Sequence, residues 1–142
     1  MPTPNFVSKS MVLSIHARQI ERFGGTPGVR DEGLLESALA QPQATFGGRF
    51  LHPTISEQAV AYLYHIAMNH PFIDGNKRTA FAVTDTFLRL NGCALNLTNN
   101  FLMVQAPGFI RGINPKSKIE NPQAPAFIRG VNSLIENLKS KI

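Results

Sequence analysis

Apolar positions recur at helical spacing along much of this chain, and short polar or glycine-rich breaks separate them. Residues 1–9 read as a short arm. Met11, Ile15, Ile20 and Phe23 form a rough stripe over a helix that Ser10 can cap and that Gly24-Gly25 stops. Thr26-Pro27-Gly28 is a turn. Asp31 can cap a second helix carrying Leu34, Leu35, Ala38 and Leu39, ended by Pro42. Residues 43–53 hold two glycines, two phenylalanines and a proline, which suits a strand pair or flap better than a helix. Thr54 and Glu57 then form a capping box for a helix with Ala59, Val60, Leu63, Ile66 and Ala67, reaching about Asn69.

The segment from His70 to Gly75 contains proline and glycine and reads as a loop. A further helix starts near Gly75, carries Ala80, Phe81, Thr84, Phe87, Leu88 and Leu90, and closes at Asn91-Gly92. Residues 93–97 suit a short strand or extended segment. Residues 105–126 hold four of the ten prolines and show no clear period. A helical pattern returns over 125–141, with Val131, Leu134, Ile135 and Leu138 and with lysines near its end. The string Phe109 to Asn114 is echoed by Phe127 to Asn132, but two copies are too few for a solenoid.

Composition narrows this to a mainly α, single-domain protein. The 142 residues are 43% hydrophobic and 16% charged, enough apolar matter for one core over residues 1–142. A net charge of +5 tilts the surface toward anionic ligands. The lysines and arginines are spread without a dense stripe, which makes direct nucleic-acid binding an unfavoured reading. Cys93 is the single cysteine, so neither a disulfide framework nor a zinc spacing is available. No apolar run is long enough for a membrane span, and the N-terminus lacks the order of a signal peptide, so a cytoplasmic protein is expected.

Chemistry concentrates in His70-Pro71-Phe72-Ile73-Asp74-Gly75-Asn76-Lys77-Arg78. A helix start carries unpaired N–H groups and partial positive charge, and so attracts anions. Gly75 lets a phosphate approach the backbone, Asn76 adds an amide, and Lys77 and Arg78 add charge. Asp74 is a hard oxygen ligand of the kind that holds Mg²⁺ against a nucleotide. His70 lies just before the loop and offers an imidazole, a side chain suited to act as a base, and Phe72 is expected to point inward and anchor the loop. Taken singly, each residue has a plainer role: Asp74 can cap the next helix, and Lys77 and Arg78 can form a solvated face. As one string they combine phosphate, metal and base.

That string resembles the signature of the Fic/Doc family, specifically the Doc (death-on-curing) branch of toxin–antitoxin toxins, His-x-Phe-x-Asp/Asn-Ala/Gly-Asn-Lys-Arg. The likeness extends to Arg22-Phe23-Gly24-Gly25, to Arg30 through Ala38 and to Phe87 through Gly92. It covers roughly residues 12–97 and leaves 98–142 atypical. The resemblance implies a compact helical bundle with a small flap, the latter perhaps a short β-hairpin. It implies a protein kinase that uses ATP and Mg²⁺ to phosphorylate a threonine of elongation factor Tu, halting translation, under control of a Phd-like antitoxin. By position His70 would be the base, Asp74 the metal ligand, and Gly75, Asn76, Lys77 and Arg78 the phosphate binders. The flap at 43–53 would hold the target, with Phe46, Phe50 and Leu51 either docking it or packing into the core.

The larger AMP-transferring branch has glycine in place of Lys77 and a second arginine in place of Phe81. Adenylylation is therefore the alternative reading, and an inactive binding module is another. Asn132, Glu136 and Asn137 nearly match the inhibitory helix of some relatives, with Asn in the Ser/Thr position.

Overall fold

The computed structural model describes residues 3–98 and 101–105. Four helices build it: α1 (Lys9–Phe23), α2 (Glu32–Ala40), α3 (Ile55–Asn69) and α4 (Asn76–Leu90). A short hairpin of β1 (Thr45–Phe46) and β2 (Arg49–Phe50) lies between α2 and α3, and a second of β3 (Ala94–Thr98) and β4 (Phe101–Gln105) follows α4. The mainly α bundle with a small flap is the architecture expected. The proline-rich stretch beyond Gln105, the repeat echo, the helix at 125–141 and the Asn132–Asn137 near-match lie outside the described residues.

Local chemistry sets the helix ends. The Asp31 carboxylate accepts from Leu34 N at 2.9 Å and the Thr54 hydroxyl from Glu57 N at 3.1 Å, each satisfying a donor that the first turn leaves unpaired. At α1 the cap is Ser8, which accepts from Met11 N at 3.2 Å. The expected cap, Ser10, falls inside the helix and shares a hydrogen bond with the Ser8 hydroxyl. The expected stripe on α1 is also corrected. Met11 and Phe23 are exposed, while Val12 and His16 are buried, four residues apart on one face.

α3 is the central element. Its residues Gln58 to Leu63 are buried without a break, as are Ile66 and Ala67. A helix apolar nearly all round needs cover on several sides, and α4 packs along it with α2 on another flank, while α1 packs on α4. The core joins Leu35, Leu63, Ile66, Phe72, Val83 and Phe87 into one cluster.

The N-terminal segment is tied to this core. Asn5 and Asn91 exchange backbone-to-amide bonds of 2.8 and 3.0 Å. Val7 N donates to the buried Tyr62 hydroxyl at 3.0 Å. Burial of Tyr62 raises the pKa of its hydroxyl to about 12. Phe6 stacks on Phe87 and meets Phe50 edge-on, each at 5.9 Å.

The flap turns at Gly47-Gly48, with φ of 60° and 78°. A two-residue hairpin loop of type I′ needs positive φ at both central positions, which glycine adopts at little cost. Phe46, at 82% exposure, and Leu51 face outward, whereas Phe50 packs against Phe6.

Candidate active site

His70 ends α3 in the left-handed conformation, with φ 49° and ψ 54°. It is the one non-glycine residue with positive φ among the described residues. Glycine usually takes this place at a helix end; a side chain there costs about 1 kcal/mol. The strain turns the chain sharply from α3 toward α4 and leaves the His70 side chain exposed on a cleft.

Two segments over-determine the turn. Residues 28–31 run antiparallel to 71–73 through the Val29–Phe72 bridge, with Ile73 N donating to Gly28 O at 3.1 Å and Asp31 N to Pro71 O at 3.1 Å. From below, Phe72 is 1% exposed, and its ring stacks on buried His16 with centroids 3.9 Å apart and planes 6° from parallel. Phe72 is thus the inward anchor the sequence suggests. His16 Nε2 in turn hydrogen-bonds Asp74 O at 2.8 Å.

The Asn76 amide brackets Phe72. Its Oδ1 accepts from Phe72 N at 2.8 Å and its Nδ2 donates to Phe72 O at 2.9 Å. Both ends of this side chain are therefore engaged in shaping the loop. What Asn76 offers a phosphate foremost is its backbone N–H at the first position of α4.

Asp74 is exposed, and its carboxylate accepts from Thr26 N at 3.1 Å and Gly75 N at 2.8 Å. These two backbone donors, Thr26 first, depress its pKa below the usual carboxylate range, and the charge of Arg78 acts in the same sense. The carboxylate thus stays ionised. Mg²⁺ keeps much of its water and takes one or two carboxylates together with nucleotide phosphates. Among the described residues no three His, Cys, Asp or Glu side chains gather into a cage. One ionised, accessible carboxylate fits a metal shared with phosphates.

Gly25 makes the Thr26–Asp74 contact possible. A Cβ at Gly25 would lie 2.6 Å from Asp74 Oδ2, and its φ is +125°. Gly25→Ala is expected to lower stability by about 1–3 kcal/mol by displacing that carboxylate and straining the turn. Urea unfolding measures this, and an unshifted midpoint would show that the methyl is accommodated.

Gly75 sits at the cap position just before α4, with a φ of 74° that disfavours other side chains and with no side-chain cap to offer. The N–H groups of Asn76, Lys77 and Arg78 open the helix at the cleft. Arg78 Nη2 donates to Gly24 O at 3.0 Å, and its guanidinium lies 5.7 Å from the centre of the Phe23 ring. The cleft, about 790 Å³, is lined by His70, Ile73, Asp74, Gly75, Asn76, Lys77 and Arg78 from the motif. Gln19, Arg22 and Phe23 from α1, with Phe81 and Ala82 from α4, complete it. The six motif residues given roles at the site, His70, Asp74, Gly75, Asn76, Lys77 and Arg78, thus line one cavity, with Phe72 buried beneath it. Phe46 and Leu51 of the flap are exposed but do not line it.

Sequence reasoning gave no part in the site to His16, Gly25, Arg30 or the α1 residues of the cleft. His16 carried one signal: it lies one turn after Val12 and one turn before Ile20, at an i, i+4, i+8 spacing that puts a histidine between two aliphatic residues on one face.

A model of the Fic/DOC family matches residues 6–88. Over 73 residues the chain is 51% identical to a protein named Toxin Doc from Mycolicibacterium smegmatis, covering 51% of this chain and 56% of that one. Over 86 residues it is 35% identical to Protein kinase doc of Escherichia phage P1, covering 61% of this chain and 68% of that one. The chain therefore spans little more than half the length of the first of these relatives. No helix among the described residues is long and apolar enough to cross a membrane.

Proposed function

The chain belongs to the Fic/DOC family, and from that premise we propose that it is a Doc-type toxin that transfers the γ-phosphate of ATP to a hydroxyl of a protein target. The observation that carries this is the gathering of His70, Asp74, Lys77, Arg78 and the start of α4 around one cleft. The printed names of the two relatives, a toxin and a protein kinase, support the same reading.

In the step proposed, the target hydroxyl oxygen attacks the γ-phosphorus while its proton passes to the His70 ring. The bond from the γ-phosphorus to the bridging oxygen breaks, and ADP leaves. Lys77, Arg78 and the first N–H groups of α4 bind the phosphate oxygens on which charge develops. Asp74 would hold Mg²⁺, which when bound neutralises phosphate charge.

Two positions favour this over AMP transfer. Lys77 fills the place where the AMP-transferring branch has glycine. Phe81 puts an apolar ring on the cleft where that branch has a second arginine. The exposed Phe46 and Leu51 suit a flap that pairs with an extended target segment. By family resemblance the target is a threonine of elongation factor Tu, and a Phd-like antitoxin is the partner that restrains the toxin.

The test uses bacterial lysate, Mg²⁺ and ATP labelled on either the γ- or the α-phosphate. Label from γ alone, on a band identified as elongation factor Tu, is the expected result. Label from α would establish an AMP-transferase, and label from neither would overturn an active transferase.

A further inference from the structure

Arg30 is exposed and is not among the residues that line the cleft. It meets three successive carbonyls. Its backbone N–H donates to Pro71 O at 2.7 Å, its Nε to His70 O at 2.7 Å and its Nη2 to Asn69 O at 2.9 Å. Helix ends leave such carbonyls without intrahelical donors, and a cation there is favoured by the helix dipole. The planar guanidinium presents two parallel donors at fixed spacing, which a lysine ammonium does not. The residue whose carbonyl takes the Nε bond is the one held at φ 49°.

We propose that Arg30 is a positioning residue for His70, its guanidinium fixing the carbonyls of Asn69 and His70 and so holding the left-handed turn that presents the imidazole to the cleft. The proposal rests on His70 as the base of the transfer reaction. Because Arg30 does not line the cleft, its loss should misplace the base without weakening nucleotide binding.

Arg30→Ala and Arg30→Lys test it in the full chain. Arg30→Ala is expected to lower kcat about 10- to 100-fold, with KM for ATP changed less than about two-fold. Methylguanidinium added to the assay should recover part of the lost rate, since Arg30 is exposed and its place is open to solvent. Arg30→Lys should stay below wild type, and it carries the comparison if the alanine variant fails to fold. NMR of histidine-labelled protein without nucleotide gives a second readout. The His70 ring and amide signals should move in Arg30→Ala and return with methylguanidinium, while those of His16 stay in place. An unchanged kcat overturns the proposal, and so does a KM for ATP that rises in step with the loss of kcat. Should wild type transfer no phosphate at all, the kinase reading fails by itself. The His70 signals then decide whether Arg30 holds the turn, and unmoved signals refute it.

Discussion

His70→Ala is expected to fold like the parent and to transfer label at least about 100-fold more slowly, the lower end of what a positioned general base contributes. The side chain is exposed on the cleft, and it is the backbone carbonyl of His70 that Arg30 holds, so alanine removes little packing. Alanine also keeps the left-handed strain at φ 49°, because it too has a Cβ. His70→Gly removes that strain and should be more stable than the alanine variant by about 1 kcal/mol, while equally inactive. The pair separates chemistry from structure, with activity read by label transfer and stability by urea unfolding. An alanine variant that unfolds would make His70 a structural residue. A glycine variant no more stable than alanine would show that the turn is not strained.

The second large effect is expected at Phe72. Its ring is closed in by the core and by the parallel face of His16, and its backbone is clamped by Asn76 and bridged to Val29. Phe72→Ala should cost about 3–5 kcal/mol, the range for deleting a buried phenylalanine. That is a large share of the roughly 5–15 kcal/mol that stabilises a domain. Thermal unfolding should shift down by about 10 °C or more. Activity should fall as well, since His16 loses its stacking partner while bonded to Asp74 O. A loss below about 1 kcal/mol would mean that the hydrogen bonds alone fix the loop, leaving the ring dispensable.

Much of the bundle was legible because its signals are local. Asp31 and Thr54 cap their helices within one turn, and Gly24 and Asn91-Gly92 end theirs, so a few neighbouring residues decide each boundary. The Gly-Gly pair at the flap tip is read the same way. The nine-residue motif was legible as chemistry because its residues share one loop and the helix that follows. What stayed hidden depends on partners far along the chain. The face of α1 is chosen by what α4 and the loop offer it, which buries Val12 and His16 rather than Met11 and Phe23. Nothing near Arg30 reveals that its guanidinium meets carbonyls about forty residues on. The strand Phe101–Gln105 is a short apolar run, which periodicity cannot assign to strand or helix.

The reciprocal bonds between Asn5 and Asn91 bring the entry and exit of the helical unit to one point. The polypeptide between them, which includes the cleft, the flap and all four helices, is in effect a ring closed by the side-chain amide of Asn91 on the backbone of Asn5. A ring of this kind behaves as a cassette. Joining its ends covalently, or splicing it into another chain at that point, demands little rearrangement inside. The described chain after the clasp, from Gly92 to Gln105, contributes no side chain to the lining of the cavity.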